Sequence, residues 1–120
     1  MAKLDIVRAY WQAERDGKLS DIMAHYSPNA EFVTPSGVVK GTEAIRAAYQ
    51  QSLTTYREII VTIVNATEAE NQVAAEYSLE LIWPDGASII TRGCNVFTFE
   101  GERFASVRCY FDPAAFLKPS

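Results

Sequence analysis

Asn95 stands between Gly93 and Phe97, on the side of a strand that alternation makes apolar. A buried amide left unpaired costs about 1–3 kcal/mol, so this one needs a partner. It is either a hydrogen-bond donor to a ligand oxygen or a satisfied core amide bonded to backbone or a tyrosine. Tyr10 lies on the buried stripe of a helix. Its phenol either stabilises a developing oxyanion in a dry pocket or fills the core with its hydroxyl near the rim. Asp112 follows an apolar strand and precedes Pro113. A carboxylate at a cavity mouth is a natural general base. Asp followed by Pro and two alanines is also a helix cap with proline in the first position. Strict alternation puts Asp112 on the Arg108 side, away from the apolar face, so a bend after Tyr110 is needed to aim it inward. A base with two hydrogen-bond donors would suit proton abstraction next to a carbonyl. Glu14, at the edge of the Tyr10 stripe, reads as a solvated helix residue. His25, the single histidine, reads as structural.

Positioning these groups requires helices first and strands afterwards. Ile6, Val7, Tyr10 and Trp11 form one stripe of a helix over about residues 3–16, which Gly17 ends. A short second helix turns Leu19, Ile22, Met23 and Tyr26 inward, with Ser20 as its cap, and Ser27-Pro28-Asn29 breaks it. A strand over residues 30–35 and a turn at Ser36-Gly37 follow. A third helix, residues 43–53, has Ala44, Ile45, Ala48 and Tyr49 as its apolar side. Four segments rich in β-branched and aromatic residues come next, at 57–66, 72–83, 87–99 and 103–111. The short links between them make hairpins, hence antiparallel neighbours. This order gives an α+β class: three N-terminal helices packed on a curved antiparallel sheet enclosing an apolar pocket.

Alternation places Val73, Ala75, Tyr77, Leu79, Leu81 and Trp83 on the inner face. Ile89, Thr91, Gly93, Asn95, Phe97 and Phe99 share it, as do Ala105, Val107, Cys109 and Phe111. Phe104, Ser106, Arg108 and Tyr110 fall on the outer face. That face is mixed, which suits a twofold subunit interface or a solvated surface where Glu76, Glu80, Arg92 and Arg108 pair across strands.

The 120 residues suit one domain, residues 1–120. A net charge of -4 without a basic run argues against nucleic-acid binding. No segment resembles a signal peptide or a membrane span, so the expected location is cytoplasmic, with Cys94 and Cys109 as free thiols. One histidine and two distant cysteines make no zinc pattern, and there is no glycine-rich phosphate loop; no metal and no cofactor are expected.

Several stretches, in this order, resemble the superfamily of ketosteroid isomerases, SnoaL-like polyketide cyclases and nuclear transport factor two proteins. The first is the opening helix, from Val7-Arg8-Ala9-Tyr10-Trp11 through Asp16-Gly17-Lys18-Leu19. Next come His25-Tyr26-Ser27-Pro28-Asn29-Ala30-Glu31-Phe32 and Gly41-Thr42-Glu43-Ala44-Ile45-Arg46. The last is the hairpin Asn95-Val96-Phe97-Thr98-Phe99-Glu100-Gly101-Glu102-Arg103-Phe104. The resemblance implies a cone-shaped, cystatin-like α+β roll, a deep pocket and a homodimer. Tyr10 matches the isomerases' first-helix tyrosine, and Asn95 takes the place of their second oxyanion donor, a protonated aspartate. Their base, an aspartate before a proline, corresponds to Thr34 before Pro35, which is no base. Asp112 matches the cyclases' base at the end of the last strand, while Tyr110 stands where they have a helper histidine. The expected site therefore has Asp112 as base with Tyr10 and Asn95 as donors. The small hydrophobic carbonyl substrate would lie among Trp11, Phe32, Thr34, Tyr49, Trp83 and Phe97. A non-catalytic module that binds a hydrophobic ligand, or associates through the outer sheet face, is the alternative.

Overall fold

A computed structural model describes residues 2–119. Helix α1 spans Lys3–Arg15 and buries Ile6, Val7, Tyr10, Trp11 and Ala13. It ends at Gly17, whose φ of 69° suits a residue without a Cβ. There the Lys18 N–H donates to the Ala13 carbonyl and the Gly17 N–H to the Glu14 carbonyl, the paired bonds of a Schellman close. Helix α2 is a short turn, Leu19–Met23, with Ser20 inside it and no side-chain cap. Strand β1, Tyr26–Thr34, pairs with β2, Gly37–Lys40, and α3 follows at Thr42–Thr55. Then come β3 Glu58–Glu68, β4 Gln72–Ile82, β5 Ser88–Glu100 and β6 Arg103–Phe111. A 3-10 turn at Pro113–Phe116 closes the chain.

The six strands form one curved sheet in the order β2-β1-β6-β5-β4-β3. All pairs are antiparallel except β1 with β6, which run parallel. Two expectations change here. β1 starts at Tyr26 and runs through the Ser27-Pro28-Asn29 segment expected to break the chain. Its pairing with β6 is irregular between Tyr26 and Glu31, so Pro28 sits where the ladder does not need an N–H. β2 is an additional edge strand, where only a turn was expected.

The inner face follows the sequence alternation. Val73, Ala75, Tyr77, Leu79 and Leu81 are all buried on β4, with Phe97 and Phe99 beside them on β5. Phe104 departs from it. The β5–β6 register shifts between Thr98 and Phe99, so Phe104 faces Phe99 and is fully buried rather than turned outward. Helix α1 packs on β3 and β4, α3 on β1 and β2, and α2 against both helices. On the outer face Asn65 Nδ2 donates to Glu76 and Arg108 donates to Ser106, in place of the Glu–Arg pairs expected there. Ile90 and Tyr110 stand exposed on that side.

Candidate functional site

The helices leave a gap over the inner face, a cavity of about 260 Å³. Helix α1 supplies Tyr10, Trp11 and Glu14 to its wall, and the sheet supplies Tyr77, Asn95 and Cys109. Phe111 at the end of β6 and Phe116 from the 3-10 turn close one side, their ring centroids 4.6 Å apart.

Tyr10 from α1 and Asn95 from β5 both line this cavity. Tyr10 belongs to a chain of three buried phenols. Its hydroxyl bonds that of Tyr49, and Tyr49 bonds Tyr26 at 2.5 Å. The Tyr10 and Tyr26 hydroxyls also interact, so the three phenols form one cluster; when Tyr26 donates to Tyr49 and Tyr49 to Tyr10, the Tyr10 proton is shared between Tyr26 and the cavity. Burial raises all three phenols well above their ordinary range, so they act as neutral donors.

Asn95 is nearly fully buried and accepts a hydrogen bond at Oδ1 from the Tyr77 hydroxyl, at 3.2 Å. That bond fixes the amide so that its nitrogen is free to donate. Part of this capacity is directed at Cys109, its cross-strand partner, whose thiol burial pushes up to about 12. The arrangement depends on Gly93, opposite Tyr77. A Cβ there would lie 2.5 Å from the Tyr77 hydroxyl oxygen.

Glu14 was read from sequence as solvated; the structure places it in the cavity wall. It keeps part of its surface accessible, yet it has enough protein around it that desolvation raises its carboxyl from 4.5 to about 7. Its charge is felt by Tyr10, Tyr26, Tyr49, Tyr77 and Cys109. It is the one charged side chain among the described residues that line the cavity. Its spacing carried a signal. Val7, Tyr10, Trp11 and Glu14 are separated by three, four and seven residues, so the carboxylate continues the buried stripe.

Asp112 lies elsewhere. It is exposed, and its Oδ1 accepts from the Ala114 N–H at 3.0 Å, capping the 3-10 turn with Pro113 in the first position. Asp112 is not among the residues that line the cavity. Trp11, Phe32 and Thr34 line the cavity. Thr34 Oγ1 also accepts from the Ser36 N–H and holds the β1–β2 turn. Three expected lining residues stand one layer back. Tyr49 is behind Tyr10, Phe97 lies against both Tyr10 and Trp11, and Trp83 packs on Tyr56, which itself lines the cavity.

The sequence profile of the SnoaL-like domain family matches residues 7–107. No curated protein sequence matches the chain. Among solved structures, an NTF2-like protein of unknown function from Burkholderia pseudomallei superposes with a TM-score of 0.85 at 19% identity, over 95% of this chain and 94% of that one. TerC, co-crystallised with polyporic acid, gives 0.84 at 17% identity over 95% and 94%. A protein with a ketosteroid isomerase-like fold from Catenulispora acidiphila, in complex with trimethylamine, gives 0.84 at 20% identity over 93% and 88%. At these identities the likeness is one of fold.

Proposed function

The chain belongs to the SnoaL-like domain family, and from that premise we propose that it is a small-molecule enzyme that moves a proton on a small, mostly apolar carbonyl compound. Glu14 is the acid–base group, and Tyr10 and Asn95 are the donors at the substrate oxygen. The observation that carries this reading is the place of Glu14, the one charged side chain among the described residues lining a cavity otherwise walled largely by aromatic and aliphatic side chains, where desolvation raises its carboxyl to about 7. Near neutral pH such a group is present both as the base that takes a proton and as the acid that returns it. The substrate carbonyl accepts hydrogen bonds from the Asn95 amide and the Tyr10 phenol. Glu14 removes the neighbouring C–H proton, and the charge settles on the oxygen that these donors face. Return of the proton to a different carbon isomerises the substrate. Attack of the enolate carbon on a second carbonyl closes a ring, and the protonated Glu14 then neutralises the new alkoxide. Enolisation of this kind needs a base and an oxyanion site, and the chain's own residues supply both. The small molecules held by two structural neighbours, polyporic acid and trimethylamine, support a small organic ligand.

A ligand-binding module without catalysis is the second reading, favoured by the capping role of Asp112. Exchange of carbonyl-adjacent protons into D₂O, followed by NMR over a panel of aromatic, terpenoid and polycyclic ketones, separates the two. Exchange by the wild type and by Asp112→Asn, lost in Glu14→Gln, supports the enzyme. Ligands that raise the melting temperature without any exchange support the binding module. The twofold dimer is proposed to form through the outer sheet face that exposes Ile90 and Tyr110. A sedimentation coefficient of a monomer at high micromolar protein concentration would contradict it.

A further inference from the structure

The cavity wall carries one carboxyl and no basic side chain among the described residues that line it. Glu14 is the one charged side chain among the described residues on its wall, and it forms no hydrogen bond or ion pair there. Arg8 and Arg15, also on α1, line a neighbouring groove with Gln12, which shares Trp11 and Val61 with the cavity, but neither arginine lines the cavity itself. The same cavity is lined by aromatic rings from several elements: Tyr10 and Trp11 from α1, Tyr77 from β4, Phe111 and Phe116 from the C-terminal end. Aromatic faces attract cations, and more strongly where water is excluded. A buried carboxylate is stabilised in its charged form by an opposite charge within about 4–6 Å.

We propose that this cavity binds small hydrophobic organic cations, tertiary or quaternary amines, with Glu14 as counter-ion and the surrounding rings as cation–π walls. This goes beyond the proton-transfer reading and holds whether or not the cavity catalyses. For the enzyme, such an amine is a competitive inhibitor that holds Glu14 ionised.

Cation binding and proton binding then compete at one carboxylate. The other titratable groups that face Glu14 are Tyr10 on its own helix, Tyr26 on β1, Tyr49 on α3, Tyr77 on β4 and Cys109 on β6. Burial raises each of these, so all stay neutral between pH 5 and 9. His25, whose ring meets Tyr10, is lowered by burial and stacks on Phe104. Glu14 is therefore the group that sets the pH dependence. Cation affinity rises by up to tenfold per pH unit below 7 and levels off above it.

The test is an NMR titration of the whole protein with benzyltrimethylammonium and with neopentylbenzene, its neutral carbon isostere, from pH 5 to 9. The expected result is cation binding that strengthens toward pH 7 and is weakened at least tenfold in Glu14→Gln, while the isostere binds wild type and variant alike. A cation bound no better than its isostere overturns the proposal, as does cation affinity unchanged in Glu14→Gln. So does the isostere binding alone, an outcome that leaves the cavity and the proton-transfer reading standing.

Discussion

Replacing Glu14 with glutamine keeps the shape of the side chain and removes its titration. In the folded protein the carboxyl binds its proton at about 7, against 4.5 for an unperturbed glutamate, because desolvation penalises the charged form. Between those values the folded state holds a proton that the unfolded chain has released. Wild-type stability relative to the variant therefore falls as pH rises from 4.5 to 7, and the gap is constant above that. A shift from 4.5 to about 7 corresponds to about 3 kcal/mol at 1.36 kcal/mol per unit. At roughly 2.1 cal/mol/K of unfolding entropy per residue, a chain of 120 residues shifts its melting temperature by about 4 °C per kcal/mol. Glu14→Gln is then expected to melt roughly 12 °C above wild type at pH 8 and level with it near pH 4. Urea and thermal unfolding of both proteins across pH 4–9 measure the gap. A gap that does not change with pH, or a variant less stable than wild type at pH 8, would refute a Glu14 buried without a charge partner.

Substitutions at three further positions test the rest of the reading. Tyr49→Phe removes the hydroxyl that bonds both Tyr10 and Tyr26, costing each of two buried phenols one hydrogen bond and leaving them only each other. It is expected to cost about 1–3 kcal/mol in urea unfolding and to slow proton exchange. Gly93→Ala places a methyl 2.5 Å from the Tyr77 hydroxyl oxygen and 3.0 Å from the Tyr110 carbonyl oxygen. The Tyr77 ring must swing away from Asn95, at a cost of about 1–3 kcal/mol; a crystal structure of the variant with the Tyr77–Asn95 bond intact would count against this. Asp112→Asn preserves the cap and is expected to leave stability and exchange unchanged, whereas Asp112→Ala costs about 1 kcal/mol. Loss of exchange in Asp112→Asn would restore Asp112 as the base.

Local periodicity was enough to read the β4 inner face, the α1 stripe and the three C-terminal hairpins, because each repeats within a few residues. The parallel pairing of β1 with β6 joins segments more than 70 residues apart, and nothing in either segment encodes the other's register. The same limit hid the turn of Phe104 into the core, which follows from one extra residue in β6 opposite Thr98 and Phe99. At the site, Tyr10 and Asn95 were legible as polar groups on apolar faces. Asp112 could be read as a base at the cavity mouth or as a cap before Pro113, and the structure shows the cap. Glu14 went unrecognised because a helix carboxylate is solvated by default. Its seven-residue spacing from Val7 pointed inward, but only the sheet opposite decides whether that face meets water or protein.

Proton transfer in this cavity requires a carboxyl able to take and return a proton near neutral pH. A carbon-detected NMR titration of the Glu14 side-chain carboxyl in the ligand-free protein tests it most directly. The expected midpoint is near pH 7, above the ordinary glutamate value of 4.5. A Glu14 carboxyl that titrates near 4.5 would contradict it and remove the proton-transfer group from the site.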